Sequence, residues 1–120
     1  MDLEEQKQLE VTPLMNHEYA LRVFQDTDNY IRFLDLFVTL HADFIQEVDR
    51  LRAESAHLRG IVHKVNGAAT HLGLAKLCAL CLIVERAIDL GEPYFDALDS
   101  LRRVYQETQK AIREYTIEHI

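Results

Sequence analysis

Apolar residues recur at intervals of three and four along most of this chain, the spacing that brings side chains to one face of an α-helix. Such stripes run through residues 31–51, 58–72, 77–88 and 95–115. In the clearest stripe the apolar residues are Leu58, Ile61, Val62, Val65, Ala68, Ala69 and Leu72. The chain shows neither alternating strand and helix patterns nor a glycine-rich phosphate loop. The pattern therefore predicts an all-α protein rather than a nucleotide-binding fold.

Polar and turn-forming residues divide these stripes into predicted helices and an N-terminal arm. We expect five helices, over residues 16–25, 28–54, 55–72, 74–90 and 93–120. Residues 1–12 are polar without clear periodicity and are expected to form a loose or partly helical arm, which leaves 13–120 as one domain. Short connections favour antiparallel neighbours, so the four longer helices should form an up-down-up-down four-helix bundle. The additional short N-terminal helix should lie across one end.

Capping residues define where these helices should begin and end. Asn16 is a candidate N-cap for the first helix, and Thr27 or Asp28 for the second, because their side chains can accept a hydrogen bond from a free backbone amide. Gly73 offers the third helix a C-terminal stop or a bend, because glycine adopts the left-handed conformation at little cost. Pro93 suits the first turn of the last helix, where a missing amide proton is tolerated.

Composition and charge exclude several classes of function. The 120 residues contain 20 acidic and 13 basic side chains, for a net charge of −7, and lack a dense basic run that could follow a phosphate backbone. Nucleic acid is therefore not an expected partner. There is no apolar run of the ~18 residues typical of a membrane span, and the N-terminus is acidic. We expect a cytoplasmic domain without direct membrane contact.

His63 is the residue whose position most invites a chemical explanation. At about 100° per residue it points roughly 160° away from the centre of the apolar stripe, on the polar side of its helix. Gly60 and Gly67 lie on the same outer side, where each costs about 1 kcal/mol of helix propensity relative to alanine. The simplest explanation is access, because a patch without side chains lets a second protein bring a reacting group to the imidazole.

The sequence that follows this histidine contains small and apolar residues at a distinctive spacing. It reads His63-x-Val65-x-Gly67-Ala68-Ala69, then Leu72-Gly73-Leu74, and then Leu77, Cys78 and Glu85. This combination resembles the signature of histidine phosphotransfer (HPt) domains, and is similar to the HPt domains at the C-terminal end of bacterial hybrid sensor kinases. The resemblance covers one helix closely and the rest of the chain by length and helix count.

The resemblance implies a phosphocarrier in a multistep two-component phosphorelay. His63 would accept a phosphoryl group from a receiver-domain aspartate and pass it to a response regulator. Such a domain is not an enzyme with turnover of its own and has no intrinsic cofactor, because the partner receiver domain supplies Mg²⁺. The expected partners are receiver domains of a hybrid kinase or a response regulator. The domain would stand alone or form the cytoplasmic end of a membrane-bound sensor kinase.

Polar residues around His63 are candidates for stabilising the phosphoryl group. The family usually has lysine three residues after the histidine, whereas this chain has Asn66. Arg59, one turn earlier, is the best-placed cation, Thr70 lies on the adjacent strip and Lys64 points to the other side. Our hypothesis is that Asn66 donates a hydrogen bond in place of the lysine, with Arg59 or Lys64 partly restoring the positive potential. The alternative is that both cations are ordinary solvated charges.

Two other functions compete with the phosphocarrier. A helical adaptor could bind a receiver-like or kinase partner through the same face without accepting phosphate. A metal site could use Cys78 and Cys81 with His71 and either His63 or His57, but cysteines three apart on a helix are poorly placed to converge on one ion. Two reduced, mostly buried thiols are the preferred interpretation.

The remaining polar and aromatic residues are expected to be structural. The acidic residues of the second and fourth predicted helices should form solvated faces: Asp43, Glu47, Asp49, Glu85 and Asp89. The other histidines should be packing or surface residues: His17, His41, His57, His71 and His119. Phe33, Phe37 and Phe44 have the spacing of a core stripe, although a ring that reached the surface beside His63 could form part of a receiver-docking patch.

Overall fold

The computed structural model describes residues 1–119, and within them it is all-α without a strand, as the sequence predicts. Its helices are α1 (Leu3–Val11), α2 (His17–Phe24), α3 (Thr27–Leu40), α4 (Phe44–Arg50), α5 (Ser55–His71), α6 (Ala75–Asp89) and α7 (Phe95–Glu118). Helix α6 packs against α5 on one side and α7 on the other, α3 contacts α2 and α7, and α4 contacts α5. These contacts enclose one core of buried apolar side chains drawn from α2 to α7.

The N-terminal arm is a regular helix rather than a loose segment. Asp2 accepts a hydrogen bond from the Glu5 amide at 2.7 Å, and the Glu5 carboxylate accepts one from the Asp2 amide at 3.1 Å. This reciprocal capping box stabilises the first turn of α1. No residue of α1 is buried. The helix is held to the rest of the protein by partial packing of Leu9 and by an ion pair between Glu5 and Arg86 of α6.

The single helix predicted over residues 28–54 is wrong, because the chain breaks into α3 and α4 at residues 41–43. The His41 carbonyl accepts hydrogen bonds from the Phe44 amide at 3.1 Å and from the hydroxyl of Tyr105 on α7. A tertiary donor thus competes for a carbonyl that would otherwise continue the helix. The break turns Phe44 inward, where its ring lies 4.7 Å from that of Tyr105. The spacing of apolar residues within residues 28–54 cannot reveal a hydrogen-bond donor that belongs to another helix.

Two predicted helix starts are also wrong. Asp26, rather than Thr27 or Asp28, caps α3, and its carboxylate accepts from the Asp28 amide at 2.8 Å. The last helix begins at Phe95 and not at Pro93, because the Tyr94 hydroxyl donates to a carbonyl at residue 52 at 2.7 Å and residue 94 has a non-helical backbone. In both places, a side-chain hydrogen bond shifts the boundary by one or two residues.

The junction between α5 and α6 requires glycine at residue 73. Gly73 has φ of +69°, and its carbonyl accepts a hydrogen bond from the Asn16 amide at 2.7 Å. A Cβ atom there would lie 2.7 Å from the Asn16 carbonyl oxygen. Asn16 caps α2 as predicted, accepting from the Tyr19 amide at 3.1 Å. The predicted stop at Gly73 is therefore confirmed, and it also fixes the start of α2 against this turn.

Candidate functional site

His63 stands on the outer side of α5, as the helical pattern predicts. Its side chain is 66% exposed, whereas Val62 and Val65 on the opposite side of the helix are buried in the core. The core therefore holds the backbone of α5 in place while the imidazole remains accessible. Exposure on a rigid helix is what a group needs to meet a reactive centre on a second protein in a fixed geometry.

Glu85 of α6 contacts the ring directly, which the sequence analysis missed. His63 Nδ1 lies 2.6 Å from Glu85 Oε1, and the Glu85 side chain is only 7% exposed. The prediction that residue 85 belongs to a solvated face is wrong. A positional signal was available, because Glu85 lies four residues after Cys81 and three before Ile88, in the inward stripe of α6. Asp89 is 51% exposed, in keeping with the prediction for that residue.

The Glu85 contact selects one tautomer of the imidazole. An ionised carboxylate has only acceptor atoms, so His63 Nδ1 must hold the proton and donate it to Glu85. In the neutral ring the lone pair then resides on Nε2, the other ring nitrogen. The carboxylate also balances positive charge that develops on the ring when Nε2 forms a new bond. In its neutral form the ring therefore presents Nε2 as a nucleophile, and Glu85 would stabilise the charged product electrostatically.

Arg59 lies next to this pair but is engaged elsewhere. Its Nε and Nη2 donate to the two carboxylate oxygens of Asp89 at 2.6 and 3.0 Å, and its Nη1 lies 3.8 Å from Glu85 Oε1. The guanidinium holds the pKa of the Asp89 carboxyl below its ordinary value, chiefly through the hydrogen bond, and Asp89 raises the pKa of Arg59. Arg59 thus forms a bidentate bridge between α5 and α6 at the edge of the site.

The other predicted neighbours divide between the two sides of His63. Asn66 donates from Nδ2 to Glu85 Oε2 at 3.4 Å, so its partner in this structure is the buried carboxylate. Thr70 donates to the backbone carbonyl of Asn66 at 2.8 Å and does not contact the imidazole. Lys64 lies on the side facing α3 and α4. The structure therefore groups Arg59 and Asn66 around Glu85, and leaves Lys64 and Thr70 outside this cluster.

Gly60 and Gly67 have no packing reason to be glycine. A Cβ atom at either position would meet no other atom within 4 Å, and neither residue has positive φ. Both are exposed, one turn before and one turn after His63. Because alanine would fit at both positions and favour the helix, the folded chain alone does not explain the glycines. Clearance for an approaching molecule stays our prediction for both glycines.

Replacing Gly60 with alanine should stabilise the protein. We expect the free energy of unfolding to rise by about 0.5–1 kcal/mol, because alanine has the higher helix propensity and nothing obstructs its methyl group. Urea denaturation followed by circular dichroism measures this change. A matched Gly73→Ala variant should lose stability instead, because of its positive φ and the close Asn16 carbonyl. Equal effects at the two positions would contradict this account.

An apolar surface adjoins α5 on the side that faces α3. Phe33, Leu36 and Leu40 of α3 are 49%, 48% and 67% exposed, and we call these three residues the α3 strip. They line a groove whose opposite wall includes Ala68 and His71 of α5. The prediction for the aromatic stripe is confirmed for Phe37 and Phe44, which are buried, and not for Phe33. An exposed apolar strip of this kind is typical of a surface that a partner covers.

The cysteines and histidines do not converge on a metal site. Within residues 1–119, no group of three or more His, Cys, Asp or Glu side chains has metal-binding geometry. Cys78 and Cys81 are free thiols, and burial raises the pKa of both. His17 packs against Tyr115, with ring centroids 4.5 Å apart.

Within residues 1–119, no helix combines the length and apolarity needed to cross a membrane.

Comparison of the chain with protein-family models, with curated proteins and with solved structures finds no match. What the molecule does is therefore inferred from the chemistry around His63. Three features define that chemistry: an exposed imidazole, a buried carboxylate on its Nδ1 and two glycines that keep its surroundings open.

Proposed function

We propose that this chain is a histidine phosphotransfer domain. In this proposal His63 accepts a phosphoryl group from the aspartyl phosphate of one receiver domain and passes it to the aspartate of another. The observation that supports it most is the hydrogen bond between an exposed imidazole and the buried carboxylate of Glu85. Burying a carboxylate costs free energy, and the Glu85 side chain is only 7% exposed. A surface histidine without a chemical role would not explain why this buried carboxylate is placed against its ring.

The proposed architecture is an antiparallel up-down-up-down bundle. Its four members are the α3–α4 pair, α5, α6 and α7, with α2 across one end. Short connections between α5, α6 and α7, and the contacts of α3 with α7 and of α4 with α5, support this arrangement. In such a bundle, α5 and α6 form one rigid wall, and that wall holds His63 and Glu85 in register.

The transfer step needs no base on this chain. The Nε2 lone pair attacks phosphorus, the bond from phosphorus to the aspartate oxygen breaks, and the electron pair leaves with the carboxylate of the receiver. In the neutral ring Nε2 has no proton to lose, because the single ring proton is on Nδ1. The ring becomes a phosphorylated imidazolium, and the carboxylate of Glu85 balances its charge. Mg²⁺ on the receiver would neutralise the phosphoryl oxygens, so the chain itself has no independent turnover.

The proposed docking surface extends from the glycines to the α3 strip. Gly60 and Gly67 lie on the α3 side of His63, and the groove lined by the strip continues from the same side of α5. A partner that delivers an aspartyl phosphate to Nε2 would cover both. The occupant we propose is therefore a receiver domain with an apolar surface next to its phosphorylated aspartate.

Replacing Glu85 with glutamine should slow phosphorylation of His63. Glutamine can still accept a hydrogen bond from Nδ1, but it lacks the charge that stabilises the imidazolium. We expect the rate of phosphoryl transfer to fall about 10- to 100-fold, by analogy with the range found when the carboxylate partner of a metal-binding histidine is removed. This rate is measured by mixing the chain with a phosphorylated receiver domain, quenching samples at successive times and quantifying the phosphoryl label on each protein.

Glu107→Gln is the matched control for that measurement. Glu107 is on α7, where it pairs with Arg103 at 3.8 Å in an exposed position. The control should transfer at the rate of the original chain. If Glu85→Gln also transferred at that rate, the contact would have only a structural role and the mechanism above would be wrong.

The function itself is tested by incubation with a panel of phosphorylated receiver domains. A phosphocarrier gains a label that acid removes and base does not, as expected of phosphohistidine, and mass spectrometry places it on His63. The adaptor alternative predicts a stable complex without any label, and that result would overturn the proposal. We further propose that the domain works in the cytoplasm, either alone or as the end of a sensor kinase.

A further inference from the structure

Arg59 lies next to the histidine that would accept the phosphoryl group. Its Nη1 and His63 Nδ1 both contact Glu85 Oε1, at 3.8 and 2.6 Å, so the two nitrogens are separated by no more than the sum of these distances. Arg59 also precedes His63 by one helical turn, on the same side of α5. Its guanidinium has five donors, of which Asp89 uses two in this structure.

The ion pair between Asp89 and Arg59 can open, because other groups can replace either partner. Both side chains are substantially exposed, at 38% and 51%, so water can replace either partner at low cost. A phosphoryl group on His63 would bring two negative charges and three acceptor oxygens to the same region. The guanidinium fork fits phosphate as well as carboxylate, and the edge formed by Nε and Nη2, which Asp89 occupies here, cannot bind a phosphoryl group at the same time.

We propose that Asp89 competes with the phosphoryl group on His63 for Arg59, and thereby sets how long the phosphohistidine persists. This inference rests on the proposed function. Before transfer, the Arg59–Asp89 pair is closed as observed here. After transfer, Arg59 turns to the phosphoryl oxygens and Asp89 is released to solvent. Asp89 is then a regulatory residue that destabilises the phosphorylated state by stabilising the unphosphorylated one.

The experiment compares the lifetime of the phosphohistidine in four chains. They are the original sequence, Asp89→Asn, Arg59→Ala and the double variant, each phosphorylated with phosphoramidate and then freed of donor. Asp89→Asn should lengthen the half-life about 1.4- to 5-fold, the range expected when an exposed ion pair no longer competes. Arg59→Ala should shorten it. The double variant should have the same half-life as Arg59→Ala, because Asp89 has no arginine left to compete for.

Two controls separate this competition from a general effect of charge or folding. Asp49→Asn removes an equivalent bidentate pair, in which Arg102 contacts Asp49 at 3.1 Å through each of two nitrogens, between α4 and α7. It should leave the half-life unchanged. Arg59→Lys retains the charge without the fork and should restore part of the half-life lost in Arg59→Ala. Thermal unfolding verifies that each variant is folded.

The outcomes distinguish the two proposals. If the original chain gains no label from phosphoramidate or from any receiver domain, the proposed function is wrong and this inference fails with it. If the original chain is labelled but Asp89→Asn leaves the half-life unchanged or shortens it, only the competition is overturned. The competition is equally overturned if Asp89→Asn lengthens the half-life to the same extent in the Arg59→Ala background.

Discussion

His63→Gln should abolish phosphorylation of this chain completely. Glutamine is similar in length to histidine and can hydrogen-bond to Glu85, but it offers no nucleophilic nitrogen. The fold should be unaffected, because the His63 side chain is 66% exposed and makes no core contact that glutamine could not replace. The measurement is incorporation of acid-labile phosphate from a phosphorylated receiver domain, with circular dichroism to verify helicity.

His57→Gln is the control for that experiment. His57 lies on the same helix, its side chain is 78% exposed, and its Nδ1 is 3.3 Å from Glu54. It therefore reproduces a histidine–glutamate pair with the difference that its carboxylate is exposed. The control should incorporate phosphate normally. If the label persisted in His63→Gln and disappeared in His57→Gln, His57 would be the phosphorylated residue and the assignment of His63 would be wrong.

Gly67→Arg should nearly eliminate transfer from a receiver domain while leaving the bundle folded. The position is exposed, and a Cβ atom there meets nothing within 4 Å, so the arginine projects outward. It would occupy the space through which a receiver must bring its aspartyl phosphate. We expect the transfer rate to fall about 100-fold or more, because displacement by about 1 Å is enough to cost that much in a positioned reaction.

A small phosphoryl donor separates access from chemistry in this variant. Phosphoramidate should still label Gly67→Arg at a rate close to that of the original chain, since it does not need the docking surface. Gly67→Ala should accept phosphate from both donors and be more stable by about 0.5–1 kcal/mol. If Gly67→Arg accepted phosphate from a receiver as fast as the original chain, the glycine would have no role in access.

The phosphocarrier and adaptor proposals use the same surface but differ in what His63 does. Both account for the open glycines and the α3 strip. Only the phosphocarrier accounts for a buried carboxylate that holds one tautomer of an exposed imidazole. An adaptor would retain binding in both His63→Gln and Glu85→Gln and would never be labelled. The phosphocarrier would also retain binding, but would lose the covalent product in His63→Gln and form it about 10- to 100-fold more slowly in Glu85→Gln. The two substitutions therefore decide between them when binding and labelling are measured on the same samples.

The sequence by itself determined most of the helical segments, apart from α1 and the break between α3 and α4, and which way His63 faces. Both follow from the period of 3.6 residues, a local property that the spacing of Val62 and Val65 makes visible. The stop at Gly73 and the cap at Asn16 are also local, because each depends on one residue type at a helix end. For the same reason, the capping box of α1 could have been recognised from Asp2 and Glu5 alone.

The tertiary structure decided the surroundings of the imidazole. Glu85 meets His63, and Asp89 meets Arg59, only because α6 packs against α5 with a particular rotation and offset. The break after α3 likewise depends on a hydroxyl of α7 that reaches the His41 carbonyl. Contacts between helices depend on how two rigid surfaces interlock, and a repeat within one helix contains no information about the register of its neighbour. The exposed position of the imidazole was therefore predictable from the sequence, whereas the groups that surround it were fixed by packing.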